Sequence, residues 1–275
     1  SFNRLMPEEI NRVVTDHVSS LHFCPTETAV QNLAREGITR NVHLVGDVMH
    51  DALLFNLELA ERRSSILDRL QLARRDYLLA TVHRAENTDR PENLAQIWEA
   101  LCQLARSGHR IVFPVHPRTR PRLDGLATAG PPNLAMIEPV PYLDMLLLEK
   151  NADIILTDSG GVQKEACWLR VPCVTLREET EWIETVESGW NRLAGANRGR
   201  IVAAVRALQV SPAVIMDSPC NGGAARRIIE TLSAAEITRR APEAPLRQSN
   251  TAAHEGTSHL TAPAPIPNGH VYGRN

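Results

Sequence analysis

No apolar run in the 275-residue sequence approaches the ~18 residues that a membrane-spanning helix needs, which argues against a transmembrane segment. Blocks of like charge are also missing. The 30 basic and 32 acidic residues are interspersed, the net charge is −2, and no basic stripe marks a nucleic-acid or membrane-surface binder. Ser1 to Arg12 is polar and reads as the edge of a fold rather than as a signal peptide, so a cytoplasmic protein is expected. The cysteines Cys24, Cys102, Cys167, Cys173 and Cys220 are odd in number, widely spaced and contain no CxxC pair. That pattern predicts buried reduced thiols, with no disulfide and no metal. No internal repeat is visible.

What is present is the pattern of an ordinary globular chain, 43% hydrophobic and 23% charged, long enough for one large or two modest domains. Leu21–Cys24 reads as a short strand. Thr26 to Glu36 has apolar residues at helical spacing and ends at Gly37, and Val42–Asp47 is a second short strand. One helical stretch is expected from Val48 to about Arg75.

From Tyr77 the chain alternates regularly. Apolar strands are expected at Tyr77–Val82, Arg110–Val115, Leu134–Glu138, Ala152–Thr157 and Pro172–Leu176. Helices are expected from Asp89, through a capping box to Glu92, to about Ser107, and then at Arg120–Leu126 and Tyr142–Lys150. Another follows Gly161, and the last two lie near Gly199–Leu208 and Gly223–Leu232. Such alternation predicts right-handed βαβ units and a parallel sheet covered on both faces. The domain boundaries expected are 1–46 for a small leading piece, 47–235 for a complete doubly wound domain, and 236–275 for a disordered tail rich in Pro and Ala. The tail's His254, His259 and His270 read as solvated residues.

Ligands of open parallel sheets bind outside the carboxyl ends of the strands, and three polar clusters fall at such ends. In Thr157-Asp158-Ser159-Gly160-Gly161-Val162-Gln163-Lys164-Glu165 a strand runs into two glycines and a helix start. Bare backbone and unpaired N–H groups there suit a phosphate or diphosphate. Glu165, one turn on, could accept from a ribose diol. Alternatively, Ser159 only caps the helix and Glu165 only complements its dipole. His83-Arg84-Ala85-Glu86-Asn87 follows the first long strand, and His83 could neutralise a diphosphate or move a proton, or simply bond a loop carbonyl. His116-Pro117-Arg118 follows the next strand, and Arg118 reads equally as a solvated charge. Together the clusters point to a nucleotide or sugar-nucleotide site without naming a reaction.

Five segments carry a more specific signal in a fixed order. They are Met6-Pro7-Glu8-Glu9-Ile10-Asn11-Arg12, Cys24-Pro25-Thr26-Glu27, Val82–Asn87, Asp158–Ala166, and Glu179-Thr180-Glu181-Trp182 through Gly189-Trp190-Asn191. In order and spacing, over roughly Ser1 to Leu232, they resemble the non-hydrolysing UDP-N-acetylglucosamine 2-epimerases. The resemblance implies an α/β, GT-B-like fold, with a complete C-terminal Rossmann-like doubly wound parallel sheet and a remnant of the N-terminal Rossmann-like domain. It implies interconversion of UDP-GlcNAc and UDP-ManNAc by elimination and re-addition of UDP, with no metal and no cofactor. UDP-GlcNAc and UDP are the implied partners, and a homodimer stays open.

By position, the resemblance puts Ser159, Gly160 and Gly161 on phosphate oxygens and Glu165 on the ribose. Met145 stands where some members hold uracil with an aromatic residue, and Val140 where some have glutamine. His83 would assist departure of the diphosphate, and Glu8 matches an active-site carboxylate. Arg84, His116 and Glu181 match second-site or substrate contacts. Trp182 replaces an arginine of one branch, and its Thr-Glu-Trp form is similar to a branch that includes enzymes acting on UDP-diacetamido-uronates. Arg170 replaces a glycine.

The resemblance further implies that an Arg/Lys pair, an Asp and a Glu precede Ser1, so this chain is expected to bind nucleotide without completing the reaction. A GT-B glycosyltransferase fits the sheet pattern, but the Met-Pro-Glu-Glu-Ile-Asn-Arg segment argues against it. Val48, Met49, Ala52, Leu53 and Leu54 are expected to lie on an exposed apolar surface.

Overall fold

The computed structural model describes residues 4, 7–125, 130–210 and 222–234. Cys220 and the predicted tail from 236 with its three histidines lie outside the described residues. Among them, the strands are β1 (His22–Cys24), β2 (Val42–Leu44), β3 (Leu78–Thr81), β4 (Ile111–Pro114), β5 (Leu134–Ile137), β6 (Ile154–Thr157), β7 (Cys173–Thr175) and β8 (Asn191–Leu193). β1 and β2 form a parallel pair bridged by helix Glu27–Arg35, whose N-cap Thr26 accepts from the Ala29 N–H.

The other six strands form one parallel sheet in the order β5-β4-β3-β6-β7-β8. The chain works outward from β3 to β5, then returns to lay β6 against the other side of β3. That reversal opens a crevice beyond the carboxyl ends of β3 and β6, where sheets of this topology take their ligands.

Side chains alternate across the sheet, so each apolar strand feeds two cores. On one face Leu78, Ala80, Phe113, Ile154 and Leu156 pack with Ile97, Leu101 and Leu104 of helix Pro91–Arg106 and with Ile201 and Val205 of helix Arg198–Val210. On the other, Tyr77, Leu79, Val112 and Ile155 meet Leu53 and Ala60 of helix Val48–Arg63, Leu146 and Leu148 of helix Tyr142–Asn151, and Ala166 of helix Gly160–Trp168.

The structure corrects several sequence readings. The helical stretch expected from Val48 to Arg75 is two helices, Val48–Arg63 and Ile66–Arg69. Ser64 leaves helical geometry at ψ 136 and its hydroxyl donates to Asp144 Oδ1 at 2.5 Å, so a tertiary bond replaces continuation of the helix. The capping box at Asp89 does not form. Arg90 is the N-cap, and the Asp89 carboxylate accepts from Arg122 at 2.6 Å instead. Leu53 is 1% exposed and belongs to the core, whereas Val48, Met49, Ala52 and Leu54 are exposed, as is Phe55. β8 and the short helices Ala85–Thr88 and Ile183–Glu187 were not anticipated.

Three side chains, Asp47, Asp51 and Arg227, fix the segment joining the β1–β2 pair to the large sheet. Asp47 caps helix Val48–Arg63 through the Met49 N–H and takes the Lys164 ammonium at 2.5 Å. Arg227 Nε donates to the Val45 carbonyl at 2.6 Å. Asp51 accepts from the N–H groups of Gly223 and Ala225, which cap helix Ala224–Ala234 from outside. Gly46, at φ +83, holds a left-handed conformation that strains any other residue, and a Cβ there would also displace the Arg227 guanidinium, whose Nη2 would stand 2.8 Å away.

Arg170 closes helix Gly160–Trp168 in the left-handed conformation, at φ 55. The N–H of Val171 reaches the Ala166 carbonyl and that of Arg170 the Cys167 carbonyl, the paired bonds of a Schellman motif whose left-handed position favours glycine. Arg170→Gly is expected to stabilise the fold by about 1 kcal/mol, less a few tenths for the freer unfolded chain. The contact to Arg75 uses the Arg170 carbonyl and survives the change. Thermal unfolding checks this: a Tm that falls, rather than rising by about 2–4 °C, contradicts it.

Candidate functional site

The crevice beyond β3 and β6 is organised around one carboxylate. Asp158 is fully buried at the end of β6. Its oxygens accept from the backbone N–H groups of His83 and Arg84 at 3.0–3.1 Å and from Asn87 Nδ2 at 3.1 Å. The same Asn87 amide donates to the Leu176 carbonyl after β7. Beneath it, the Thr81 and Thr157 hydroxyls meet at 2.6 Å, and Thr157 accepts from the Ser159 N–H. The loops after β3, β6 and β7 are therefore fastened to one another by satisfied buried polar groups.

On this platform Ser159 is the N-cap of helix Gly160–Trp168, accepting from the Val162 N–H. The capping alternative is thus realised, and it leaves the N–H groups of Gly160 and Gly161 at the helix start. A Cβ on Gly160 would stand 3.1 Å from the Trp182 indole nitrogen, so glycine is what lets Trp182 lie against the turn.

His83 is half-buried with Nδ1 3.3 Å from Asp158 Oδ1, so its partner is a carboxylate rather than a loop carbonyl. Burial, chiefly, lowers its pKa. Asp158 opposes that, and Arg84 and His116 reinforce it. The His116 ring centroid lies 5.9 Å away, while its own Nδ1 accepts from the Arg118 N–H. Arg84 reaches toward the exposed Glu8 at 4.0 Å. Glu181 is held by Arg177 through two bonds of 2.9–3.0 Å, and the buried Arg177 also approaches Glu86 at 3.5 Å. The Arg177 bonds and charge hold the Glu181 carboxyl below its ordinary range against desolvation.

Glu165 is buried one turn into the helix, and its Oε1 accepts from the Tyr142 hydroxyl at 2.9 Å. Burial raises its pKa, while the Tyr142 bond and the Lys164 charge oppose that rise. Met145 is half-buried against the second core, on the same helix as Tyr142. A cavity of about 490 Å³ adjoins the site, lined by Trp168, Trp182 and Trp190 and by Pro25–Thr28 and Val45–Asp47. Lys164 lies in its wall, 4.0 Å from the Trp182 ring centroid.

Sequence reading missed three of these groups as parts of the site: Asp158 as the hub, Arg177, and the Lys164–Asp47 pair. Asp158 stood inside a recognised segment, and its position at a strand end was the available signal. Arg177 meets Glu181 only four residues on, but across a loop with no helical pattern, and Lys164, inside the same segment as Asp158, meets Asp47 117 residues earlier.

The family model described as UDP-N-acetylglucosamine 2-epimerase matches residues 1–233. The chain belongs to the UDP-N-acetylglucosamine 2-epimerase family. A homologue of that epimerase from Methanococcus maripaludis is 55% identical over 207 residues, 74% of this chain and 57% of the relative. The UDP-2,3-diacetamido-2,3-dideoxy-D-glucuronate 2-epimerase of Pseudomonas aeruginosa is 45% identical, over 85% of this chain and 65% of its own length. Among solved structures, the Methanocaldococcus jannaschii UDP-GlcNAc 2-epimerase in complex with UDP-GlcNAc and UDP superposes with a TM-score of 0.77 at 45% identity. That match covers 85% of this chain and 66% of the other. The chain therefore spans from somewhat over half to about two-thirds of the length of these epimerases. Its parallel α/β architecture is that of the GT-B-like epimerase family. Among the described residues of this epimerase-family chain, no helix is long and apolar enough to cross a membrane.

Proposed function

We propose that this chain forms the nucleotide-holding part of a non-hydrolysing UDP-N-acetylglucosamine 2-epimerase, which interconverts UDP-GlcNAc and UDP-ManNAc by eliminating and re-adding UDP. One observation carries the reading: a glycine-glycine helix start and a histidine are pinned side by side, across the reversal of strand order, by the buried Asp158. Residues 1–46 then belong to the N-terminal Rossmann-like half, and the whole protein works in a cytoplasmic pool of sugar nucleotides.

In this reading the N–H groups of Gly160 and Gly161, with the helix dipole, receive the diphosphate, and Ser159 orients the turn. Glu165 accepts the ribose hydroxyls with Tyr142 steadying it, and Met145 lies toward uracil. Departure of the diphosphate places negative charge beside His83. Burial keeps that ring neutral in the free protein, so the arriving diphosphate favours its protonation, and the resulting imidazolium stabilises the leaving group. Glu8 is the carboxylate on the far side that serves proton exchange at C2. Arg84, His116 and Glu181 are substrate or second-site contacts.

The test is a titration of UDP followed by NMR at the Ser159–Gly161 amides, with UDP-GlcNAc then incubated in deuterated water. Shifts at those amides with saturation support the nucleotide site, and unmoved amides in a folded sample refute it. Deuterium at C2 and a new epimer establish turnover by this chain, whereas binding without exchange assigns it the binding role alone. A second reading has one specific observation behind it. Trp182 lies against Gly160, and the P. aeruginosa relative acts on a diacetamido-glucuronate. A competition assay in which the UDP-diacetamido-uronate displaces UDP-GlcNAc at lower concentration would favour it.

A further inference from the structure

Glu149 has no task in the reading above, yet it sits in a place where a carboxyl is costly. It is 1% exposed, near the end of helix Tyr142–Asn151, and no group donates a hydrogen bond to its Oε2. Tyr142 lies seven residues earlier, two helical turns, so both residues project from one face. That face looks onto helix Gly160–Trp168, where Tyr142 holds Glu165. Burial first, and the charge of Glu165 second, push the Glu149 carboxyl well above the usual range. The other groups that face this pair are Lys164, whose charge favours ionised Glu165, and Tyr77 and Cys173, which feel Glu149 from the floor of the sheet. Arg75 lies beyond Tyr77.

Two carboxyls in one buried layer do not readily ionise together, because the charge on either disfavours the charge on the other. Glu165 has a hydroxyl donor and a nearby ammonium, and Glu149 has neither. The charge therefore rests on Glu165 and the proton on Glu149.

We propose that Glu149 is a positioning residue for the nucleotide site: its neutral carboxyl keeps Glu165 an anionic acceptor for the ribose diol, and its ionisation at alkaline pH weakens nucleotide binding. This rests on the nucleotide reading given above. A second charge behind Glu165 either repels the diphosphate or sends a proton to Glu165, which then accepts fewer hydroxyls. Reciprocity requires that UDP binding at alkaline pH draw a proton onto the pair.

Calorimetric titration of UDP into the chain and into Glu149→Gln, in buffers of different ionisation enthalpy, tests this. Above about pH 8 the nucleotide's own phosphate has already lost its last proton, and His83 is common to both proteins. The wild-type Kd is expected to rise about tenfold as the pH climbs through the range in which Glu149 ionises, and that of Glu149→Gln less than about threefold over the same range. Proton uptake per UDP should be larger in the wild type by the share lost in the variant. Equal slopes and equal proton counts overturn the proposal. If Glu149→Gln does not fold, Glu149→Met takes its place in the same comparison, because His83 also gains a proton on binding, and equal slopes and proton counts are again fatal. Absence of UDP binding at every pH defeats the nucleotide reading itself, a result distinguishable from either.

Discussion

Asp158→Ala is expected to lower stability by about 3–4 kcal/mol and to weaken UDP binding by about thirtyfold or more. The substitution removes the acceptor for two backbone N–H groups and the Asn87 amide in a fully buried position, and it frees the His83 ring. Each orphaned donor costs about 1–3 kcal/mol, and the sum is capped by water entering the loop. Asp158→Asn keeps the volume but turns one acceptor into a donor facing other donors, so its cost should be similar rather than conservative. Urea unfolding at unchanged slope, together with UDP titration, measures both effects. A loss below about 1 kcal/mol with normal UDP affinity would show that the loops are held by something else.

Lys164→Met should cost about 3 kcal/mol, because it leaves the buried Asp47 carboxylate without its ammonium partner. It also ends the contact with the Trp182 ring. Asp47→Asn in the same background should recover part of the loss, since the second change removes the uncompensated charge. A double-mutant cycle decides the matter: strictly additive single effects would mean that the pair is not coupled.

Much of the large sheet was legible because its strands are buried on both faces and read as unbroken apolar runs. β8 was not, since Asn191-Arg192-Leu193 is a three-residue edge strand with a charge at its centre. The break after Arg63 was hidden for a related reason. Its cause is a serine bonded to Asp144, which lies 80 residues further along the chain. The glycine-glycine turn of the site was visible because glycine has few other uses between a strand and a helix. Asp158 was in view but its role was not, because its partners lie 71 to 75 residues earlier. Glu149 follows three leucines near a helix end and looks in sequence like an ordinary solvent-facing residue. Tertiary packing alone puts it beside Glu165. The segments carrying the family resemblance supplied what local pattern lacked, namely which ligand such a turn would hold.

Helix Ala224–Ala234 has a consequence that its place late in the fold conceals. It contributes little to the six-stranded sheet, yet its first turn is seated on Asp51 and its Arg227 grips the peptide of Val45. Part of the stiffness of the joint between the two sheets is therefore set by residues 172 to 182 positions downstream of it. Swivelling there requires both this helix and the Lys164–Asp47 pair to let go, and shortening or tagging the chain around 222–234 would remove one of the two restraints while leaving the sheet beneath intact.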